Sequence, residues 1–388
     1  MTNDRVLRFP GVRDGWARFD GPAGTQMVDT AIAAMADWAA GGDNANCGGG
    51  FDAADATDAL LDNTRLTVAR LFGADPAGVT FGANMTTMTL AFTRAVTEML
   101  GPGDRVVGTR LDHDANVSPW RIACERSGAD HVLAPFDPAT GVLDPQAVID
   151  LIDERTRWVA VTAASNLLGT TVDPAPIAAA AHAVGARVYV DAVHAAPHRP
   201  LDIAALGCDV LVTSPYKWYG PHAGVLCADP ALLDELPVAK VRPAPDSGPR
   251  RWESGTPNLE GIAAVDAAAR FLLDEGIATI AADEAVRCTT LLDGLAAIDG
   301  VRVWGPPTMS GRAPTVAFTV DGVHPDDVAA ALAADRIATW AGHSYAVEAV
   351  AQLGLAESGG IVRAGVVAYI TDDDVARLLA SVERIAAR

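Results

Sequence analysis

A lysine stands in an apolar, aromatic turn near the middle of the chain. Residues 212–224 read VTSPYKWYGPHAG and place Lys217 between Tyr216 and Trp218. Lysine is rare here, because the 388 residues include two lysines and 27 arginines. Apolar surroundings disfavour the ammonium form, which lowers the lysine pKa and makes the neutral amine available as a nucleophile. Taken alone, the pattern is also typical of a surface lysine whose stem covers apolar neighbours.

An aspartate ends an earlier apolar run. Asp191 closes the strand-like part of ARVYVDAV (186–193), and the carboxyl ends of parallel strands border the crevice where α/β proteins bind ligands. The alternative is a simple cap for the following segment. A carboxylate there can keep a pyridine nitrogen protonated, so that the ring withdraws electrons from an attached carbanion. An aspartate and a lysine that forms a Schiff base are the minimal set for catalysis with pyridoxal 5′-phosphate (PLP).

A candidate phosphate site lies in TFGANMTTMTLAFTRAV (80–96). The pattern predicts a strand, a turn and a helix. The turn would present backbone N–H groups at a helix N-terminus, with Asn84, Thr86 and Thr87 as side-chain donors. An ordinary strand–helix connection has the same pattern.

Two more polar residues follow apolar runs and suit a bound ring. His113 lies in RLDHDANVSPW (110–120), where a flat imidazole can stack on a pyridine. Asn166 lies in TAASNLLGTT (162–171), where its amide can donate to a phenolic oxygen. The alternatives are a hydrogen-bonded structural histidine and a turn-forming asparagine.

The elements that must position these residues alternate along the chain. From about residue 55 to 230, helical segments alternate with short runs that are apolar on both sides, which predicts a mostly parallel sheet covered on both faces. These runs are 104–109, 157–165, 186–193 and 209–214.

A smaller α+β part follows an irregular connection at 241–258, which is either a linker or a loop of the site. Its predicted elements are helices at 259–277, 280–297 and 325–335, strands at 315–320 and 361–369, and a last helix capped by Thr371. We predict an N-terminal segment (1–20), a large domain (21–258) and a small C-terminal domain (259–388).

Composition excludes several classes of function. A formal net charge of −20 disfavours binding to nucleic acid or to anionic membranes. No apolar run is long enough to predict a membrane span, and the N-terminus lacks a signal-peptide core. The five cysteines show no CxxC spacing, which favours reduced thiols in a cytoplasmic protein over a disulfide frame or a metal site.

Five segments in order resemble the class V aminotransferase family of fold-type I PLP enzymes, specifically its cysteine desulfurase-like branch. They are DHDANVSPW, ASNLLGT, VDAVHAAPH, SPYKWYGP and ESGTPN. The resemblance runs from FDGPAGTQ to VRAGVVAYITDDDVARL and implies a seven-stranded, mostly parallel sheet and a homodimer with shared active sites.

The resemblance also implies roles for individual residues. Lys217 would bind the PLP aldehyde and move the Cα proton, Asp191 would pair with the ring nitrogen, and His113 would stack on the ring. Asn166 would bond the phenolic oxygen, near His194, which stands where many relatives have glutamine. The implied phosphate ligands are Ala83, Asn84, Ser214, Tyr216 (in the place of a histidine) and Thr256 from the partner subunit; Arg363 would bind the substrate carboxylate.

One position departs from the family pattern. In cysteine desulfurases a loop of the small domain carries the cysteine that takes up the substrate sulfur. The corresponding stretch, TWAGHSYAVEAVAQLG (339–354), has Tyr345 at that place, and a phenol cannot form a persulfide. His343 and Tyr345 would either line the substrate pocket or act as acid or base. Asn46 is a further candidate for substrate binding, and the adjacent Cys47 is either a nucleophile or a small residue in a tight loop.

We therefore expect a PLP-dependent enzyme that acts on a small amino acid, and a C–S lyase that eliminates the β-substituent of cysteine or a derivative is the leading hypothesis. A class V aminotransferase or an epimerase uses the same first steps and is the alternative among enzymes. A non-catalytic protein with a PLP-enzyme fold is the alternative from another class.

Overall fold

The computed structural model describes residues 4–387. The strands, in chain order, are β1 (Ala17–Arg18), β2 (Val79–Gly82), β3 (Arg105–Thr109), β4 (Asp130–Ala134), β5 (Thr156–Thr162), β6 (Arg187–Asp191), β7 (Val210–Thr213), β8 (Gly224–Ala228), β9 (Val301–Trp304), β10 (Thr315–Val320), β11 (Ile337–Ala338), β12 (Trp340–Gly342) and β13 (Ile361–Gly365). The α-helices are α1 (Asp29–Ala40), α2 (Asp52–Phe72), α3 (Met85–Thr97), α4 (Ser118–Ser127), α5 (Pro145–Ile149), α6 (Ala175–Ala183), α7 (Ile203–Leu206), α8 (Pro230–Glu235), α9 (Leu259–Glu275), α10 (Ile277–Ala296), α11 (Pro325–Ala334), α12 (Val347–Gln352) and α13 (Asp372–Ala386).

Within the described residues, seven strands form the large sheet, in the order β2-β8-β7-β6-β5-β3-β4. All are parallel except β8, which runs antiparallel to both of its neighbours. The four apolar runs become the buried central strands β3, β5, β6 and β7. The predicted α/β fold with a mostly parallel sheet is therefore confirmed.

The register of the central strands sets the position of the site. Asp191 ends β6 and pairs with Thr162 of β5 on one side and with Val212 of β7 on the other. Because parallel strands end at the same edge, the residues that follow these three strands meet in one crevice.

The C-terminal sheet is antiparallel, in the order β12-β13-β10-β9. The strand expected at 361–369 is shorter than predicted, because β13 ends at Gly365. Beyond its pair Thr315–Gly365 the chain leaves the ladder, and Val366 N donates to Pro314 O. The ring of Pro22 crosses at Gly365 so closely that a Cβ there would lie 2.2 Å from it.

The N-terminal segment reaches this second half of the chain. β1 pairs in parallel with β11 through Ala17–Ile337 and Arg18–Ala338. The domain boundaries at residues 20 and 258 stay predictions, and residues 1–3 lie outside the described part. No helix within 4–387 combines the length and the apolar character that a bilayer span requires.

Candidate active site

The loop after β7 carries the lysine. Its backbone forms a 3-10 turn over Pro215–Lys217, and the next residue but one, Tyr219, has a left-handed φ of 70°. Trp218 Nε1 donates to Thr213 Oγ1 (3.1 Å), while Tyr219 N donates to Thr25 Oγ1 (2.8 Å). Trp218 and Tyr219, the two residues after the lysine, thus hold the loop in place, and the Lys217 side chain lines the crevice.

Protein surrounds the Lys217 amine, which lines the cavity and donates to Pro22 O. Burial lowers its pKa to about 7; the cation of Arg363 adds to this, and the carboxylate of Asp191 opposes it. The amine is therefore largely uncharged just above neutral pH, as the composition of the turn predicts.

Asp191 is buried at the end of β6. Its Oδ1 accepts from Val193 N (2.9 Å). Burial raises its pKa to about 6, although the Val193 N–H and the Lys217 amine favour the charged form. Lys217 and Asp191 interact electrostatically in one cavity, so a carboxylate and an amine face the same space.

The cavity lies at the carboxyl ends of β5, β6 and β7. Eight of the residues predicted for the site line it: Thr86, His113, Asn166, Asp191, His194, Ser214, Tyr216 and Lys217. Long-range folding therefore assembles residues from positions 86 to 217 as the sequence motifs imply.

Of the predicted phosphate residues, Thr86, Ser214 and Tyr216 line the cavity, whereas Asn84 does not. Asn84 caps α3 by accepting from Thr87 N (2.9 Å), and it is Met85 and Thr86 that line the cavity. Ser214 Oγ accepts from Met85 N (2.9 Å) and so ties the lysine loop to the start of α3. The helix N-terminus itself borders the cavity, as a phosphate cradle requires.

Ala83 and Thr256 lie together in a neighbouring open groove. Asn46 is exposed, and its Oδ1 accepts from Cys47 N (2.9 Å). Cys47 contacts Arg250 through Sγ. Within this one chain, these four predicted residues do not line the Lys217 cavity.

The loop that carries Tyr345 contacts two residues that line the cavity, Asn166 and His113. Ser344 O accepts from Asn166 Nδ2 (2.7 Å), and Tyr345 O accepts from Asp114 N (2.7 Å). The rings of Tyr345 and His113 stack, with centroids 5.4 Å apart and planes 20° from parallel.

The same loop is strained. Ser344 and Tyr345 have φ of 48° and 60°, a conformation that costs a residue with a Cβ about 1–2 kcal/mol. His343 stabilises it, because its Nδ1 accepts from Tyr345 N (2.9 Å) and its carbonyl accepts from Ala346 N (2.7 Å).

His113 is neutral at physiological pH. Burial lowers its pKa to about 4, and the cations of Lys217 and Arg363 add to the effect. Its Nδ1 accepts from Ala115 N (3.0 Å), so the proton of the neutral ring is on Nε2.

Arg363 and His194 are both buried. Arg363 Nη1 donates to Asn166 O (2.7 Å), whereas its Nε has no partner among the described residues. Burial lowers the Arg363 pKa to about 10, with Asp20 opposing the shift, so the guanidinium stays charged. His194 Nε2 lies 2.9 Å from Thr315 Oγ1, and burial lowers the pKa of His194 well below its ordinary value.

Sequence reasoning missed Asp112, which is fully buried beside the site. It accepts hydrogen bonds from Thr109 Oγ1 and from Asn116 Nδ2 (2.7 Å for the latter). Burial raises its pKa to about 8, and the nearby charge of Asp191 adds to the rise. The motif DHDANVSPW contains Asp112, but the flanking Asp114 is identical in type, so the sequence does not show which one is buried.

The residues fit bound PLP. A nucleophilic amine, a buried carboxylate and a helix N-terminus border one cavity, and the Asn166 Oδ1 atom there lacks a partner among the described residues. The buried Arg363, whose Nε is also unpaired among them, is close enough to lower the pKa of Lys217. These features on a mostly parallel α/β sheet define a fold-type I PLP-dependent enzyme.

Comparison with known proteins gives the family. The family model "Aminotransferase class-V" matches residues 18–378, and the chain belongs to this family. A cysteine desulfurase of Klebsiella pneumoniae is 35% identical over 299 residues, covering 74% of this chain and 72% of the relative. That of Enterobacter sp. is 33% identical over 345 residues, covering 84% and 82%.

Solved structures of cysteine desulfurases have the same fold as this chain. A cysteine desulfurase from Escherichia coli superposes with a TM-score of 0.89 at 27% identity, covering 98% of this chain and 97% of that one. The apo cysteine desulfurase from Thermococcus onnurineus gives a TM-score of 0.93 at 25% identity, covering 100% and 98%. The chain is thus a PLP-dependent enzyme of the cysteine desulfurase-like type.

Proposed function

We propose that this enzyme is a carbon–sulfur lyase that breaks the Cβ–S bond of cysteine or an S-substituted cysteine by β-elimination. The names of the curated relatives support a cysteine-type substrate. The observation that carries the proposal is Tyr345. Its loop is hydrogen-bonded to Asn166 of the cavity, and at the place where the resemblance to cysteine desulfurases implies a thiol it presents a phenol, which cannot hold sulfur.

We assign substrate binding to Arg363 and Asn166. The buried guanidinium is held by the Asn166 carbonyl and keeps Nε free for a carboxylate, whose two oxygens suit its planar donors. A charge-assisted pair in this low-dielectric site would fix the amino acid with its amine toward Lys217.

Bound PLP supplies a covalent site for the substrate amine and an electron sink for the electron pair left at Cα. Lys217 would take the Cα proton, since its pKa near 7 suits a base at neutral pH. Asp191 would hold a proton at the ring nitrogen. Thr86, Ser214 and the first N–H groups of α3 would hold the phosphate.

We also propose that His113 covers the ring and that the family's homodimer is present. Thr256 lies with Ala83 in the open groove outside its own cavity, and this placement supports its predicted contact with the partner's phosphate.

The products from L-cysteine test the reaction. Elimination consumes one water and gives pyruvate, ammonia and sulfide, whereas desulfuration gives alanine and sulfide and needs a thiol reductant. We expect pyruvate in amounts equal to sulfide, and none from Lys217→Ala. Alanine as the main product would overturn the proposal, and its loss in Cys47→Ser would then identify Cys47 as the sulfur acceptor.

A further inference from the structure

We propose that Tyr345, stacked on His113, forms a subsite for a planar group on the substrate sulfur. The preferred substrates would then be cysteine thioethers with an aromatic or heteroaromatic substituent. This inference rests on the proposed elimination and names its substrate class.

The geometry of the rings is the first argument. Tyr345 and His113 lie nearly parallel at 5.4 Å, and His343 meets Tyr345 edge-on, with centroids 5.9 Å apart and planes at 86°. Tyr345 remains 66% exposed. An aromatic face held in place beside the cavity and still open to solvent can accept another ring, and such pairs gain more than their buried area provides.

The placement of the loop is the second argument. Ser344 and Tyr345 bond to Asn166 and Asp114, the neighbour of His113, so the ring is fixed relative to the cavity and does not sample solvent freely. Both loop residues keep left-handed backbone conformations. Strain of this kind persists where the surrounding contacts determine it, and it clusters at functional sites.

The size of the substituent is the third argument. The thiol hydrogen of free cysteine is too small to cover an exposed phenol ring. A planar group on sulfur would cover that ring and remove it from water. With the carboxylate on the buried Arg363, as proposed above, a substituent on sulfur would have to lie toward the exposed Tyr345 to meet a ring.

The reaction balances without a redox partner. Lys217 takes the Cα proton, the Cβ–S bond breaks, and its electron pair leaves with sulfur as a thiolate, which takes up a proton. The remaining three-carbon enamine reacts with one water to give pyruvate and ammonia.

Two matched thioethers test the subsite. S-(2-Phenylethyl)-L-cysteine and S-(2-cyclohexylethyl)-L-cysteine have similar bulk and differ in planarity. They release alkyl thiols of similar acidity, because two methylene groups separate each ring from sulfur. We expect the holoenzyme to favour the phenylethyl compound in kcat/KM by roughly three- to tenfold, the size of a typical aromatic pair. Tyr345→Phe should keep this preference and Tyr345→Leu should lose it. Val347→Ala, at an exposed apolar residue nearby, is the control and should keep it.

A kcat/KM ratio of the two thioethers below twofold in the wild type would overturn the proposed subsite. An unchanged ratio in Tyr345→Leu would overturn it as well. Calorimetric titration of Lys217→Ala with both thioethers measures binding apart from turnover and should show the same ratio. If no thioether or cysteine yields pyruvate, the proposed elimination fails, and the calorimetric ratio still decides the subsite.

Discussion

Burial shifts the pKa values of two ionisable groups of the site toward neutrality. It lowers the pKa of Lys217 to about 7 and raises that of Asp191 to about 6. Both shifts have one physical cause, the loss of water around a charge. An amine and a carboxylate that ionise near neutrality suit proton transfer at physiological pH.

The pKa of Lys217 predicts how fast the apoprotein captures PLP. Only the neutral amine attacks the aldehyde, so the rate should rise about tenfold per pH unit below pH 7 and level off above it. Stopped-flow absorbance in the visible range measures this rate. A rise that continues toward pH 10 would indicate an ordinary lysine. Lys240→Arg, at the other lysine of the chain, should not alter the profile.

Asp112 should make stability depend on pH. Its folded pKa of about 8 exceeds the ordinary value of 3.8, so the folded state binds the extra proton between these values. The stabilisation from that proton is complete below about pH 4 and is lost as pH rises toward 8, by up to about 1.4 kcal/mol per unit.

Asp112→Asn cannot titrate, and its amide can still bond Thr109. Denaturation of the holoprotein at pH 5 to 8 should therefore show the wild type losing stability relative to this variant as pH rises. A constant difference across this range would contradict the raised pKa. The exposed Asp37→Asn on α1 is the control, for which we expect no such trend.

At the scale of elements, a buried ion pair anchors the irregular connection that carries Thr256. Glu253 Oε1 accepts from Arg65 Nη2 of α2 (2.6 Å) and from Phe81 N of β2 (3.0 Å). Both side chains are at most 7% exposed. The ESGTPN segment is thus an ordered loop fixed to the sheet. For this segment of the connection at 241–258, the contacts favour a loop of the site over a linker.

Removal of Glu253 should be costly. Glu253→Ala leaves the Arg65 charge buried without its main partner, for which we expect a loss of about 3–5 kcal/mol in the free energy of unfolding. Asp62→Ala is a matched control, because Asp62 lies 4.0 Å from the same guanidinium but is 81% exposed. Its loss should stay below about 1 kcal/mol in the same denaturation experiment. Equal losses would refute the anchoring role.

At the scale of the whole molecule, the lysine loop joins distant parts of the chain. Tyr219 Oη donates to Glu284 of α10 (3.2 Å) and accepts from Ala368 N (3.2 Å). Glu284 also lies 2.8 Å from His198 Nδ1. These buried contacts connect the loop that holds Lys217 to helix α10 and to the segment that follows β13.

Mixed dimers test the predicted sharing of sites. In a dimer of one Lys217→Ala and one Thr256→Ala subunit, the intact lysine would meet the intact threonine of its partner. We expect one PLP per dimer to bind with wild-type affinity, while the Thr256→Ala homodimer binds more weakly. Weak binding in the mixed dimer would show that Thr256 serves its own subunit, and a monomeric mass in light scattering would exclude sharing altogether.

The sequence by itself determined the sheet, the cofactor and most of the cavity. Strands buried on both faces are continuous apolar runs, and residues at their carboxyl ends must converge, which is why Lys217, Asp191 and Asn166 could be placed in one site. The same local rules located Thr371 as the cap of the last helix, where it forms a capping box with Asp374.

Only the tertiary structure decided which polar residues lose their water and which surfaces stay open. It distinguished buried Asp112 from Asp114, placed Thr86 rather than Asn84 at the cavity, ended β13 where Pro22 crosses, and laid the Tyr345 ring on His113. Each of these depends on contacts between segments far apart in the chain. Burial, and with it every pKa in the site, is a property of those contacts and not of local residue type.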